Sequence, residues 1–208
     1  MGGLLVIALI AGYVWGAFKL CKHAQPYWKK ALVVIAAILI PTADAVYGRI
    51  KLKQMCEAEG GLHIYRVAEG VEGFDDPSGR PLEEWITQYG YHVIEGTELS
   101  GKHSRLSLQT DGKIIREVGV TPTTEYIYER NRGDSQDIFD RNGSHIRVRG
   151  TGEILSHYIN ISYAGGWFER FVAALYAQRG NGGNCGPIVS KHELITKTLK
   201  PINREQVK

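Results

Sequence analysis

Three groups of side chains in this chain have the types and spacing to do chemistry. The stretch Gly180 to Pro187, GNGGNCGP, sets Cys185 among glycines, and His192 follows close behind. A thiolate nucleophile with an imidazole base has that composition. No third orienting residue can be named, and the glycine spacing matches neither a phosphate loop nor a dinucleotide fingerprint. A loop between two helices explains the glycines without chemistry. Cys185 and His192 therefore stand as catalytic candidates against that plainer explanation. The cysteines are Cys21, Cys56 and Cys185, too few for a disulfide scaffold and without Cys-x-x-Cys spacing for zinc. A bridge between Cys56 and Cys185 would tie the C-terminal segment to what precedes the first strand, in an oxidising compartment. The alternative is two unrelated buried thiols. The seven histidines make no His-x-x-x-His spacing. His145 and His157 are able to face each other on adjacent strands, as are many pairs, so neither a metal nor another cofactor is expected.

The third group is a single acid, Asp44, which follows Pro41 in an otherwise apolar run from Ala31 to Gly48. Residues 2–18 carry no charge at all. As helices the two runs are about 25 and 27 Å long, close to the ~30 Å of a bilayer's hydrocarbon core. Four lysines lie in the connecting KLCKHAQPYWKK, and Trp15, Tyr27 and Trp28 sit near it, as interfacial aromatics do. The simplest expectation is an uncleaved pair of antiparallel membrane helices, because the first run lacks both a basic n-region and a small-x-small cleavage site. Asp44 then falls near the membrane edge. It either snorkels outward or pairs with Arg49, or else it makes a polar contact to the first helix or to a partner subunit.

Charge is distributed to match. Residues 1–49 hold five basic side chains and one acid, and the remainder is nearly balanced, so the positive excess lies beside apolar runs and does not point to nucleic acid. The expected organisation is a two-helix anchor over 1–48, a helical stalk over 49–61, a soluble domain over 62–200 and a tail over 201–208. Flanking charge is almost balanced between the two sides, and the expectation is a cytoplasmic lysine turn with the domain on the far face.

Within the soluble part, LHIYRV (Leu62 to Val67) predicts a strand and AEGVEGFDDPSGRP a loop. Pro81 with Leu82, Trp85, Ile86 and Tyr89 predicts an amphipathic helix ended by Gly90. Asp111-Gly112 and Asn142-Gly143 predict two hairpin turns. TEYIYER places Tyr126 and Tyr128 on one face of a strand, and EILSHYINISY alternates apolar with polar residues. GGWFERFVAALYAQRG predicts a helix packed on the sheet through Phe168, Phe171, Val172, Leu175 and Tyr176, closed by Gly180. Ser190 and Glu193 have capping-box spacing ahead of a short last helix. The fold class is α+β: an antiparallel meander packed with one or two helices, behind an N-terminal transmembrane helical hairpin.

PTADAVYGRIKLKQMCEAEGGLHIY and TGEILSHYINISYAGGWFER resemble segments of small, uncharacterised membrane-anchored proteins of proteobacteria. The residues that carry the likeness are Asp44, Gly48, Arg49, Cys56, Gly165, Gly166 and Trp167. The resemblance implies an inner-membrane protein and no particular activity.

The function expected is a non-enzymatic envelope module for binding or scaffolding. It is held by lipid at residues 2–18 and 31–48, its soluble domain is periplasmic, and it offers Tyr126, Tyr128, Arg147 and Arg149 to an unknown protein partner. A subunit of a larger membrane complex using Asp44, and a thiol-dependent enzyme using Cys185, are the alternatives.

Overall fold

The structure is a computed structural model that describes residues 2–131, 133, 138–175, 182–186 and 188–202, without the side chains of 2–7, 9, 10, 41, 174 and 175. The expectations for Tyr176, Gly180 and residues 203–208 of the tail lie outside the described residues, and Pro201, expected to open the tail, ends a strand instead. The chain is α+β and forms two compact units. One comprises residues 1–58, 134–140 and 161–185; the other comprises 59–133, 141–160 and 186–208.

The first unit is built on helices α1 (Gly2–His23) and α2 (Tyr27–Glu59). The Tyr13 hydroxyl donates to the Ala37 carbonyl across the pair, at 2.7 Å. Helix α2 bends by 50° between Ile40 and Thr42, where Pro41 interrupts the hydrogen-bond ladder. Beyond Gly48 it runs on to Glu59, as the stalk requires. Among the described residues no single helix is long and apolar enough to cross a membrane; the bent pair Tyr27–Ile40 and Thr42–Glu59 together has the length and composition. Helix α4 (Trp167–Leu175) belongs to this unit, where it meets α1. Gly48 lies against Tyr163 so closely that a Cβ there would fall 2.2 Å from the ring. A two-residue strand, β10 (Gly183–Asn184), pairs with the end of β9 in this unit.

The second unit is a sheet with its own core. Its strands are β1 (Gly61–Ile64), β3 (Gly73–Asp76), β4 (Val93–Thr97), β5 (His103–Leu108), β6 (Ile114–Val118), β7 (Tyr126–Asn131) and most of β8 (Phe139–Val148) and β9 (Ile154–Tyr163). Their order is β1-β9-β8-β7-β3-β4-β5-β6. The sheet is mixed rather than a pure antiparallel meander, because β3 runs parallel to both of its neighbours, β4 and β7. A separate parallel pair joins β2 (Ala68–Val71) to β11 (Leu199–Pro201). Phe74, Ile94, Leu106, Tyr128 and Ile146 line one face of the sheet. Trp85 and Ile86 of the short helix α3 (Glu84–Thr87) and Leu194 and Ile195 of α5 (Lys191–Thr198) belong to the same core. The Ser190 hydroxyl accepts from the Glu193 amide at 3.1 Å, the expected cap of α5.

Two glycine readings need correction for one physical reason. Residues 68–76 do not form a loop, since they supply β2 and the central strand β3, while 77–81 are the irregular chain expected. Asn142-Gly143 is not a turn either, since β8 runs straight through it. Neither Gly73 nor Gly143 has a positive φ. A Cβ on Gly73 would meet the Val93 carbonyl oxygen at 1.7 Å, and one on Gly143 the Tyr158 carbonyl oxygen at 2.7 Å. Both glycines serve close approach between strands, not chain reversal. Asp111-Gly112, with φ +83° at Gly112, is the turn expected between β5 and β6.

Candidate functional site

The apolar face of the sheet in the second unit ends in a polar cavity of about 270 Å³. Strand alternation sets its floor. Arg130 follows Tyr128 by two along β7 and pairs with Ser144 on β8, while Asn160 follows Tyr158 by two along β9. Residues 188–191, leading into α5, complete the wall. Among the described residues no carboxylate lines the cavity. The Lys191 ammonium bonds the Asp76 carboxylate and lies 5.1 Å from the Tyr128 ring centroid. Arg130 is exposed, and among the described residues its guanidinium has no carboxylate partner. The Oδ1 atom of Asn160 is buried and accepts no hydrogen bond, an arrangement that costs on the order of 1–3 kcal/mol until a donor arrives. Positive potential, amide groups and an unsatisfied acceptor in a concave site equip it to hold a small polar or anionic group.

The opposite face of β3, β4 and β5 buries charge. Asp75 pairs in register with Glu95, and Glu95 with Arg105. Asp75 is 2% exposed and Glu95 fully buried. Glu95 Oε1 accepts from Arg105 Nε and Nη2 at 2.8 and 2.7 Å. Its Oε2 accepts from the amide and hydroxyl of Thr124 at 2.9 and 2.7 Å and from the Thr123 amide at 3.0 Å. Burial pushes this carboxyl up, but the hydrogen bonds from Thr124, Arg105 and Thr123 outweigh it and bring it down to about 2. Asp75 Oδ2 accepts from Arg149 Nη2 at 2.6 Å. Its Oδ1 makes no hydrogen bond and faces His103 Nε2 at 3.4 Å. Burial raises the Asp75 carboxyl above its ordinary value, against the pull of Arg149 and His103.

Asp75, Glu95 and His103 offer atoms within 4.8 Å of one another, the spacing of a metal site. The donor set does not fit one. Six donors already occupy the two Glu95 oxygens, and the two guanidiniums balance the two carboxylates. The cluster is a charge-neutral layer that ties β3, β4 and β5 to the segment around Thr123.

The residues singled out from sequence are placed as follows. Cys56 and Cys185 form a disulfide with Cα atoms 5.3 Å apart, so Cys185 carries no thiol and the nucleophile reading is corrected. His192 instead stacks on Trp85, with ring centroids 4.6 Å apart. Arg49 pairs with Glu169, not with Asp44. Asp44 Oδ2 accepts the Trp167 amide at 2.5 Å and so caps α4. The cap draws α4 to α2 within the first unit. Tyr128 is buried in the core and Tyr126 packs against it, so neither offers a docking surface. Arg147 and Arg149 point to the other face and are paired, with Glu129 and Asp75.

Sequence reasoning missed Asp75, Glu95, His103, Arg105 and the cavity. Asp75 lies in a segment whose glycines and proline point to a loop, and no element is expected from sequence over Glu95. A glycine that permits close strand approach looks like a glycine that turns the chain. No protein-family model, curated protein or solved structure matches this chain.

Proposed function

We propose that this chain is a membrane-anchored, non-enzymatic binding module of an oxidising compartment, in the setting of a bacterial inner membrane with the sheet unit on the periplasmic side. One observation carries the reading: the apolar surface of α1 and α2 is uncovered and ringed by lysines and aromatics. Phe18, Leu20, Trp28, Ile38, Ile40 and Val46 are each more than half exposed. Leaving such side chains in water forgoes about 1.5–3 kcal/mol apiece, a sum that lipid contact recovers. Lys19 lies 5.0 Å from the Trp15 ring, Lys29 5.7 Å from Trp28 and Lys30 5.2 Å from Tyr27. Such pairs suit a headgroup layer beside residues 2–18 and 31–48.

The disulfide supports the compartment, since thiols in a reducing cytosol stay reduced. It closes the first unit below the apolar runs. The cavity of the second unit supports binding as the task, with Arg130 and Asn160 as its polar contacts. Labelling of intact cells with a membrane-impermeant maleimide tests the reading. Cys56 and Cys185 should react only after a reductant is added, and Cys21, in the lysine turn, only after the membrane is permeabilised. Reaction of Cys56 and Cys185 without reductant, or only after permeabilisation, contradicts it.

A further inference from the structure

We infer that the free edge of the sheet, strand β6, pairs antiparallel with β6 of a second copy of this chain, about a two-fold axis that sets Ile115 opposite Ile115. Strand β6 ends the strand order, and among the described residues no strand pairs with its outer side. It matches β5 residue for residue, from Ser104 opposite Val118 to Leu108 opposite Ile114. No proline or bulge interrupts it, and these are devices that keep an edge strand from pairing. The bonds at its two ends fix which backbone groups point outward. The Gly119 amide donates to the His103 carbonyl at 2.7 Å, and the Gln109 amide to the Lys113 carbonyl at 2.8 Å. Bonded pairs alternate along an antiparallel ladder. Ile115 and Glu117 therefore turn their backbone groups to β5, and Ile114, Arg116 and Val118 turn theirs outward. The Ile114 side chain packs against the core, whereas Ile115 is 46% exposed on the face that carries Arg105 and Glu117.

Charge complementarity selects both the partner and the register. A two-fold register centred on Arg116 sets Arg116 opposite Arg116, and one centred on Glu117 sets Glu117 opposite Glu117. Like charges directly opposite each other destabilise a strand pair. Centres at either end of the strand leave most of it unpaired. The register centred on Ile115 sets Ile114 opposite Arg116, and Lys113 opposite Glu117 on both sides of the axis. In it the outward backbone groups of Ile114 and Arg116 bond each other across the edge. The two Ile115 side chains form a close pair between those bonds, which removes an exposed apolar group from water. Lys113 and Glu117 are exposed, and their contacts within the chain, to Asp111 at 3.0 Å and to Arg105 at 3.9 Å, are surface pairs worth little. The strand is thus complementary to itself, as a two-fold interface requires. So short an edge buries less than a standard interface, which suits a reversible dimer.

Cysteine cross-linking of the full chain in detergent micelles tests the inference. A Cys21→Ser background leaves Cys56 and Cys185, bonded to each other, as the remaining native cysteines. In it Ile115→Cys should form a disulfide-linked dimer under mild oxidation, because the Cα atoms of such a close pair stand about 4.5 Å apart. Leu99→Cys, at a fully exposed position outside the strands, measures random collision, and Arg116→Cys reports the rival register. Lys113→Glu places like charges opposite each other and should abolish the Ile115→Cys dimer, and adding Glu117→Lys should restore it. Circular dichroism of each variant verifies the fold. Ile115→Cys cross-linking no greater than that of Leu99→Cys, or weaker than that of Arg116→Cys, overturns the inference. So does a dimer that Lys113→Glu leaves unchanged.

Discussion

Glu95→Gln is the perturbation whose effect is most fully determined by the structure. The buried carboxylate is held at about 2 in the folded chain, against 4.5 for a free glutamate. A depressed carboxyl stabilises the fold above its unfolded value, and that contribution is lost as pH falls through 4.5 toward 2. By linkage the ionised form contributes about 3 kcal/mol near pH 6, and about 2 kcal/mol of it is gone by pH 3. The amide cannot take part in this titration. Denaturant unfolding of the full chain in micelles, followed by tryptophan fluorescence, measures both proteins at both pH values. The stability difference between wild type and Glu95→Gln should shrink by about 2 kcal/mol from pH 6 to pH 3. A difference that does not change with pH would show that the Thr124, Arg105 and Thr123 donors do not hold the charged form, and the buried layer as described here would be wrong.

The neighbouring acid predicts the opposite sign. Burial raises Asp75, so the stability difference between wild type and Asp75→Asn should fall as pH rises above the free aspartate value, in the same unfolding assay. Cys56→Ser opens a loop spanning 129 residues, for which chain entropy sets a loss of at most about 5 kcal/mol; a thermal melt of the variant should match that of reduced wild type. Asp44→Ala removes the cap of α4 and should cost about 1 kcal/mol, with a change in Trp167 emission and no change in the sheet's circular dichroism. In the cavity, inorganic phosphate should shift the side-chain amide resonances of Asn142 and Asn160, and Arg130→Ala should weaken that binding about tenfold or more.

Much of the framework was legible because periodicity and capping are local. The continuation of α2 past Gly48, the Asp111-Gly112 turn and the Ser190 cap are each written in a few adjacent residues. The bridge between Cys56 and Cys185 was legible as one of two alternatives. The central strand β3 was not legible, because GFDD combines glycine and acids that strands usually avoid. Its carboxylates are affordable only where Arg149 from just beyond β8 meets Asp75 and Lys191 of α5 meets Asp76, a long-range fact that no local window contains. The same limit explains Tyr126 and Tyr128. Their shared face was readable from spacing, but whether that face meets water or the core depended on α3 and α5. Asp44 drew attention as an acid in an apolar run, yet its partner, the Trp167 amide, lies far along the chain.

The central claim is that α1 and the first part of α2 are held in lipid. Alkaline carbonate extraction of membranes from expressing cells, with intact-mass analysis of the recovered chain, tests it most directly. The account predicts that the chain stays in the pellet with residues 2–18 still attached and Cys56 still bonded to Cys185. Release into the supernatant, or a pellet species lacking residues 2–18, contradicts it.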